Sequence, residues 1–358
     1  VMKLPPLISV PLSWLYGMVV HIRHKLFDLK ILRSEEFDIP VVCIGNLTVG
    51  GTGKTPVAEL LIERFSEHYR VGVLSRGYRR RTKGFVLSTP ASSARTIGDE
   101  PRQMKLKYPS VPVAVCEKRA EGIRLLRKAH PEIELIILDD AFQHRYVEPW
   151  VNILLMDYNN PVYRDRLLPW GRLRDTRNQI HRANFVLVTK CPDDLNPLDM
   201  RIVINSLGLF PYQSLYFTRM RQGEITPLFA DRVVGKVREG DPVIAMSGIA
   251  NPVPLLESLR KRFDVVAELT FDDHHTYRLS DMRRLEALFA AYPDAVVLTT
   301  EKDAVKLTNR KKVPEAVQQR LYYVPIHVSF VADSESEFLR QLELYVRTNQ
   351  KYSLLHPE

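Results

Sequence analysis

Apolar residues follow two rhythms along this chain. Short runs that are apolar at nearly every position recur at Val41–Leu47, Val71–Ser75, Val111–Cys116, Leu135–Asp139, Val151–Asp157 and Phe185–Thr189. Such runs predict strands covered on both faces, as in a parallel sheet. Between them, apolar residues return every three or four positions, as at Val57–His68 and Ala120–Lys128, which predicts helices. The alternation of strand and helix predicts a doubly wound parallel α/β domain.

The rhythm breaks near residues 210–240, where Pro, Gly and charged residues interrupt it. It then resumes. Strands are expected at Pro242–Ser247, Val265–Phe271, Ala295–Thr300 and Leu321–Ser329, with helices at Pro254–Phe263, Leu279–Ala291 and Glu335–Thr348. The pattern predicts a second, smaller α/β domain. The expected division is 36–215 for the first domain and 216–358 for the second, with a linker near 216–235.

The stretch 4–20, LPPLISVPLSWLYGMVV, is mostly apolar but holds three prolines. A membrane span needs roughly 20 apolar residues, and this stretch is short of that. It has neither the leading basic region nor the small-residue cleavage site of a signal peptide. From Pro11 onward Leu12, Leu15, Tyr16, Val19, Ile22 and Leu26 keep helical spacing, with Arg23, His24, Lys25 and Lys30 close behind. Two placements suit that pattern: a helix lying on an anionic membrane, or one packed on the protein's own core. Residues 1–35 are set apart as an N-terminal amphipathic, membrane-associating segment.

Composition narrows the classes. The chain has 358 residues, 45% hydrophobic and 26% charged, enough for two domains with cores of their own. Its three cysteines are far apart, which argues against a disulfide framework or a thiolate zinc site. The formal net charge of +9 favours an anionic partner such as a nucleotide, a nucleic acid or a membrane face. The densest basic run is Arg76-Gly-Tyr-Arg-Arg-Arg-Thr-Lys83.

The chemistry starts at Asn46-Leu-Thr-Val-Gly-Gly-Thr-Gly-Lys-Thr-Pro56, between an expected strand and an expected helix. That is the setting of a phosphate-binding loop. Thr48, Val49, Gly50, Gly51, Thr52, Gly53, Lys54 and Thr55 would cradle a nucleotide's phosphates. The glycines allow backbone N–H groups to turn inward, Lys54 supplies a point charge, and the Thr55 hydroxyl suits Mg²⁺. Thr48 stands where the general pattern has glycine, and is tolerated if that position needs no positive φ. Asp139 and Asp140 end an apolar strand and are placed to hold Mg²⁺. A GTPase is excluded on two counts. Asp139 and Asp140 are followed three residues on by Phe142 and Gln143 rather than glycine, and Thr189-Lys190-Cys191 is followed by Pro192 rather than an acid. Gly98-Asp-Glu-Pro101 reads as a helix start. Phe271-Asp-Asp-His-His-Thr-Tyr277 lacks zinc spacing, but an Asp–His pair can deprotonate a hydroxyl.

These residues together resemble the bacterial tetraacyldisaccharide 4′-kinase family of lipid A synthesis. PLSWLYG, VCIGNLTVGGTGKTP, LSRGYRRR, GDEP, LDDAFQHR, LLPWGRLRD, FVLVTK, SGIANP, FDDHHTY and TTEKDAVKL carry the resemblance, in order, along most of the chain. The resemblance accounts for Thr48, since the family commonly has Ser or Thr there. It implies transfer of the γ-phosphate of ATP, with Mg²⁺, to the 4′-hydroxyl of a tetraacylated glucosamine disaccharide 1-phosphate. It implies two α/β domains with the site between them, peripheral attachment to the cytoplasmic face of the inner membrane, and neither a nucleic-acid nor an obligate protein partner.

The resemblance also implies roles. Asp99 is the expected catalytic acid–base residue, paired with His274, or less favourably His275, and Lys54 joins them as the phosphate charge. Arg76, Arg79, Arg119 and Arg174 are candidates for holding phosphates of ATP or lipid. There are two departures. Ala141 replaces the family's glycine after the acid pair. Leu173-Arg-Asp-Thr176 replaces L-R-E-P, so Asp175, if it holds magnesium, does so with a side chain one methylene shorter.

Overall fold

The computed structural model describes residues 5–233 and 235–355, with side chains as far as 348. The chain forms two sheets. The strands are β1 (Val41–Asn46), β2 (Val71–Ser75), β3 (Val86–Leu87), β4 (Val113–Val115), β5 (Leu135–Leu138), β6 (Val151–Asp157) and β7 (Phe185–Thr189). They continue with β8 (Ser214–Gln222), β9 (Thr226–Pro227), β10 (Pro242–Ser247), β11 (Asp264–Thr270), β12 (Val296–Thr300), β13 (Leu321–Val324) and β14 (Ile326–Phe330). The large sheet has the order β14-β8-β7-β6-β1-β5-β2-β4-β3, and the small one β11-β10-β12-β13-β9. The central strands of both run parallel, and antiparallel strands close the edges at β14, β3 and β9. Both expected α/β domains are therefore present.

Successive residues of β1 point to opposite faces of the sheet. Val41 and Cys43 enter one buried cluster, while Val42 and Ile44 enter the other. Helix α2 (Lys54–Ser66) follows β1 and lays Val57, Leu61, Ile62 and Phe65 on the second cluster. The phosphate-binding stretch thus lies between the central strand and the helix that covers it. Helix α1 (Pro6–Asp28) precedes the sheet.

The division at 216 does not hold. β8 belongs to the large sheet, beside β7. It escapes sequence reading because Arg219 and Arg221 break its apolar run, and both reach Asp193. The expected strand Leu321–Ser329 is two strands in two sheets. Pro325 lacks the N–H that a ladder needs, and there the chain leaves β12 for β8. The helix Glu335–Leu355 then returns to the first domain. Phe338, Leu342 and Val346 form a stripe that fills the β6–β7–β8 end of the second cluster. The Phe338 ring meets Phe185 edge-on at 5.4 Å and Tyr216 at 5.3 Å.

The domains also meet at a polar cluster beside α2. Lys107 donates to Glu59 at 2.7 Å and lies 3.4 Å from Glu301, which opens a helical turn of the second domain. Gln103 donates to the other Glu59 oxygen at 2.8 Å. Burial, reinforced by the Glu301 carboxylate, pushes Glu59 up to about 7 against the pull of Lys107.

Phe338→Ala should destabilise the protein by about 3–5 kcal/mol, the usual range for deleting a buried aromatic ring. Amide exchange should quicken first in β6, β7 and β8; quickening first in β10–β12 would contradict the assignment of this helix. The raised Glu59 pKa works against stability as pH rises from its unfolded value toward 7. Glu59→Gln should therefore gain stability over the native protein at pH 8 compared with pH 5, measured as the change in Tm difference. An unchanged difference would contradict it.

Candidate active site

The phosphate-binding loop starts where β1 ends. Gly50 and Gly53 have φ of 108° and 82°, in the region open to glycine. A Cβ at Gly53 would also meet the Met220 methyl at 2.2 Å. Thr48 is not among the residues of positive φ, so the threonine fits its backbone. It is buried and bridges Leu173 across a short antiparallel contact. Thr52 is fixed on both sides. Its hydroxyl accepts from Asn46 Nδ2 at 2.8 Å, and its carbonyl accepts from the Thr189 hydroxyl at 2.9 Å. Lys190 donates to the Gly51 carbonyl and pairs with Asp157 at 2.8 Å. The loop therefore rests on β7 as well as β1.

Lys54 points across the loop to Asp140, with Nζ 3.7 Å from Oδ1. Arg174 reaches the same carboxylate and the Asn46 side chain. Burial alone would raise Asp140, but Lys54 and Arg174 outweigh it and hold its carboxyl below the usual range. Its neighbour Asp139 goes the other way. Burial, then the Asp140 charge, pushes it up to about 6, although the Ser75 hydroxyl donates to it at 3.0 Å. Burial lowers Lys54, with Asp140 resisting.

The Thr55 hydroxyl and the carboxylates of Asp139 and Asp140 would offer a metal ion oxygen donors only. Mg²⁺ commonly takes one or two carboxylates and completes its shell with phosphate and water. Among the described residues no cluster of three or more His, Cys, Asp or Glu is arranged as a metal cage. A site built on Thr55, Asp139 and Asp140 fits an ion held jointly with a nucleotide. Asp175 stands apart from them. It is buried against α1, with Oδ1 2.6 Å from His24 Nε2. Arg174 reaches the loop, whereas its neighbour Asp175 reaches the helix.

The second half of the site draws on both domains. Asp99 opens the helix Asp99–Lys107, and His274 lies in the loop after β11. His274 Nδ1 is 2.9 Å from Asp99 Oδ2. A carboxylate only accepts, so Nδ1 carries the proton given to Asp99, while Lys302 Nζ stands 3.4 Å and Asp273 Oδ2 3.6 Å from the other ring nitrogen. The chain holds His274 at a left-handed φ of 62°. His275 points elsewhere. It bonds Asp281 at 2.9 Å and stacks on Phe271 with ring centroids 4.4 Å apart. Glu100, next to Asp99, is among the charges that act on both Lys54 and Asp139.

The four arginines differ in setting. Arg76 is exposed. Arg79 lies over Tyr78 and donates to the Asp273 carbonyl at 3.3 Å. Arg119 is wholly buried and donates to the Cys116 carbonyl at 2.7 Å, while its Nε has no partner. Burial lowers its pKa, with Asp139 and Asp140 resisting. Arg174 is engaged by Asp140 and Asn46.

Sequence reading assigned no role to Lys302, Lys306 or Tyr78. Lys306 lies 3.9 Å from Asp99 and 2.9 Å from the buried Asp303. Tyr78 packs on the His274 ring at 5.7 Å. The spacing of Lys302 and Lys306, four residues apart after a strand, was the available signal: it puts both ammonium groups on one face of a helical turn.

Comparisons with known proteins identify the family. A family profile described as Tetraacyldisaccharide-1-P 4′-kinase matches residues 6–345. A tetraacyldisaccharide 4′-kinase of Bacteroides thetaiotaomicron is 44% identical over 356 residues, covering 96% of this chain and 94% of its own. One from Flavobacterium johnsoniae is 38% identical, covering 96% and 97%. The crystal structure of "apo" form LpxK from Aquifex aeolicus in complex with ATP superposes with a TM-score of 0.73 at 27% identity, covering 94% of this chain and 98% of that one. The chain belongs to the tetraacyldisaccharide-1-P 4′-kinase family.

Proposed function

We propose that Asp99 and His274 perform the family's reaction here, moving the γ-phosphoryl group of ATP to the 4′-hydroxyl of a tetraacyl disaccharide 1-phosphate. The observation that carries this is the 2.9 Å bond from His274 to Asp99, made between two domains and beside a phosphate loop. A sugar hydroxyl is a weak nucleophile. Asp99 accepts its proton as the 4′-oxygen bonds phosphorus and the bond from phosphorus to the ADP oxygen breaks. His274 donates to Asp99, which keeps one carboxylate lone pair aimed and the other free.

Lys54 and the backbone N–H groups of residues 50–55 hold the phosphate oxygens as charge spreads over them. Thr55, Asp139 and Asp140 would hold Mg²⁺, which would offset the negative charge of the phosphates. Arg119 has a buried Nε donor with no partner, and Arg76 and Arg79 are exposed where an anionic headgroup could reach them.

The substrate's acyl chains keep it in a bilayer, and α1 suits that surface. Its buried positions are Ser9, Ser13, His24 and Phe27, while Leu7, Ile8, Leu12, Trp14, Leu15, Met18, Val19 and Ile22 face outward. A helix packed on its own protein would bury the apolar stripe instead. No helix among the described residues is long and apolar enough to cross a membrane. The reading is therefore a helix lying on the membrane, on the cytoplasmic face where ATP is available.

In mixed micelles of detergent and disaccharide 1-phosphate, Asp99→Ala should lower kcat by about 10² to 10⁴. Binding of a fluorescent ATP analogue should stay intact. Loss of under about threefold would remove Asp99 from the role of base. Leu15→Glu with Val19→Glu should release the protein from anionic vesicles in a sedimentation assay. Native protein that stays in the supernatant at low salt would contradict the surface reading.

A further inference from the structure

We propose that α1 positions the phosphate site through His24 and Tyr16, and that Asp175 anchors His24 rather than holding a metal ion. The inference builds on the phosphate-site reading above.

Three residues of the segment 167–175 are held by α1. The Tyr16 hydroxyl donates to the Arg174 carbonyl at 2.7 Å, and the Ser13 hydroxyl donates to the Leu167 carbonyl at 2.9 Å. Gly17 allows this approach, since a Cβ there would meet the Leu167 methyl at 2.8 Å. His24 and Asp175 are 3% and 1% exposed, so their bond is shut away from water. Arg145 lies 3.1 Å from His24 Nδ1 and, being a donor only, makes that nitrogen the acceptor. Nε2 then carries the proton and donates it to Asp175. The same Asp175 oxygen accepts from the Thr176 N–H at 2.7 Å. Both donors act on Oδ1, which turns it toward the helix, while Oδ2 is buried with no partner.

The same segment also contacts the phosphate loop. The Arg174 N–H donates to the Leu47 carbonyl, and the Val49 N–H to the Arg172 carbonyl, both at 2.8 Å. The Arg174 guanidinium holds Asp140 and Asn46. A second route runs in parallel. Arg23 donates to the Gln143 carbonyl at 3.0 Å, and Gln143 Nε2 donates to the Asn46 carbonyl at 2.6 Å. Both routes end on Asn46, the last residue of β1, and the first also reaches the carboxylate facing Lys54. The same helix presents its apolar face outward. Seating α1 and placing Arg174 are thus one structural event, and a misplacement of about 1 Å can cost on the order of 10² in rate.

The test uses the full chain in substrate micelles, with three readouts: kcat, the Mg²⁺ concentration giving half-maximal nucleotide-analogue binding, and amide exchange over residues 172–176. His24→Leu should lower kcat by about tenfold or more, with KM for ATP little changed and exchange over 172–176 faster. His24→Gln, whose Nε2 can still donate, should restore most of the rate and the slow exchange. Asp175→Asn keeps an acceptor for His24 and should leave the Mg²⁺ half-point unchanged. Normal kcat and normal exchange in His24→Leu would overturn the proposal. So would a strong rise of the Mg²⁺ half-point in Asp175→Asn, which would make Asp175 a metal ligand. If His24→Leu does not fold, Tyr16→Phe decides by the same kcat and exchange readouts. Lys54→Ala separates the two readings. If it keeps full rate, the phosphate-site reading fails, while exchange over 172–176 still reports whether α1 holds the segment.

Discussion

The bond from His274 to Asp99 joins residues 175 positions apart, and each belongs to a different domain. Asp99 begins a helix of the first domain. His274 sits in a loop beyond the C-terminal end of β11, at a backbone angle that an L-residue rarely adopts. Neither residue can reach the other unless the two domains are held face to face. Much of the remaining architecture serves that constraint. The strand exchange at Pro325 and the returning helix Glu335–Leu355 thread the chain through the first domain twice. The Lys107 bridge between Glu59 and Glu301 adds a polar contact at the same junction.

The phosphate side is governed by charge in a buried setting. Lys54, Arg174 and Arg119 face Asp139 and Asp140, so opposite charges nearly match. Yet Asp139 and Asp140 are pushed in opposite directions. Asp140 has two cations close by, whereas Asp139 has a hydroxyl and a like charge. An incoming divalent cation would relieve the repulsion between the carboxylates. An incoming phosphate would find Lys54 and the loop amides already placed. Preorganised charge of this kind needs little rearrangement when the reaction occurs.

Much of this was legible in the residues. The parallel strands were visible because burial on both faces leaves no polar positions in them. The loop was visible because its glycines, lysine and threonine act together within a few residues. Other features depend on contacts between distant residues and leave little local trace. β8 carries arginines, so its membership in the large sheet cannot be read from its own pattern. Phe338, Leu342 and Val346 announce a helix with one apolar face, but not which sheet that face covers. The N-terminal pattern left the membrane and the core both open, and only the buried serines and histidine show which way α1 turns. Asp175 aligned with an acid of the family motif, but its partner proved to be His24, about 150 residues earlier in the chain.

The most direct test is a double-mutant cycle on the two residues that meet between the domains. Single-turnover phosphoryl transfer would be measured for Asp99→Asn, His274→Gln and the double variant, with saturating Mg·ATP and disaccharide 1-phosphate in micelles. If His274 acts through Asp99, the double variant should be about as slow as Asp99→Asn alone, because residues that work as a unit are not additive. Losses that multiply, with the double variant far slower than either single one, would mean that the two side chains act independently and would contradict the account.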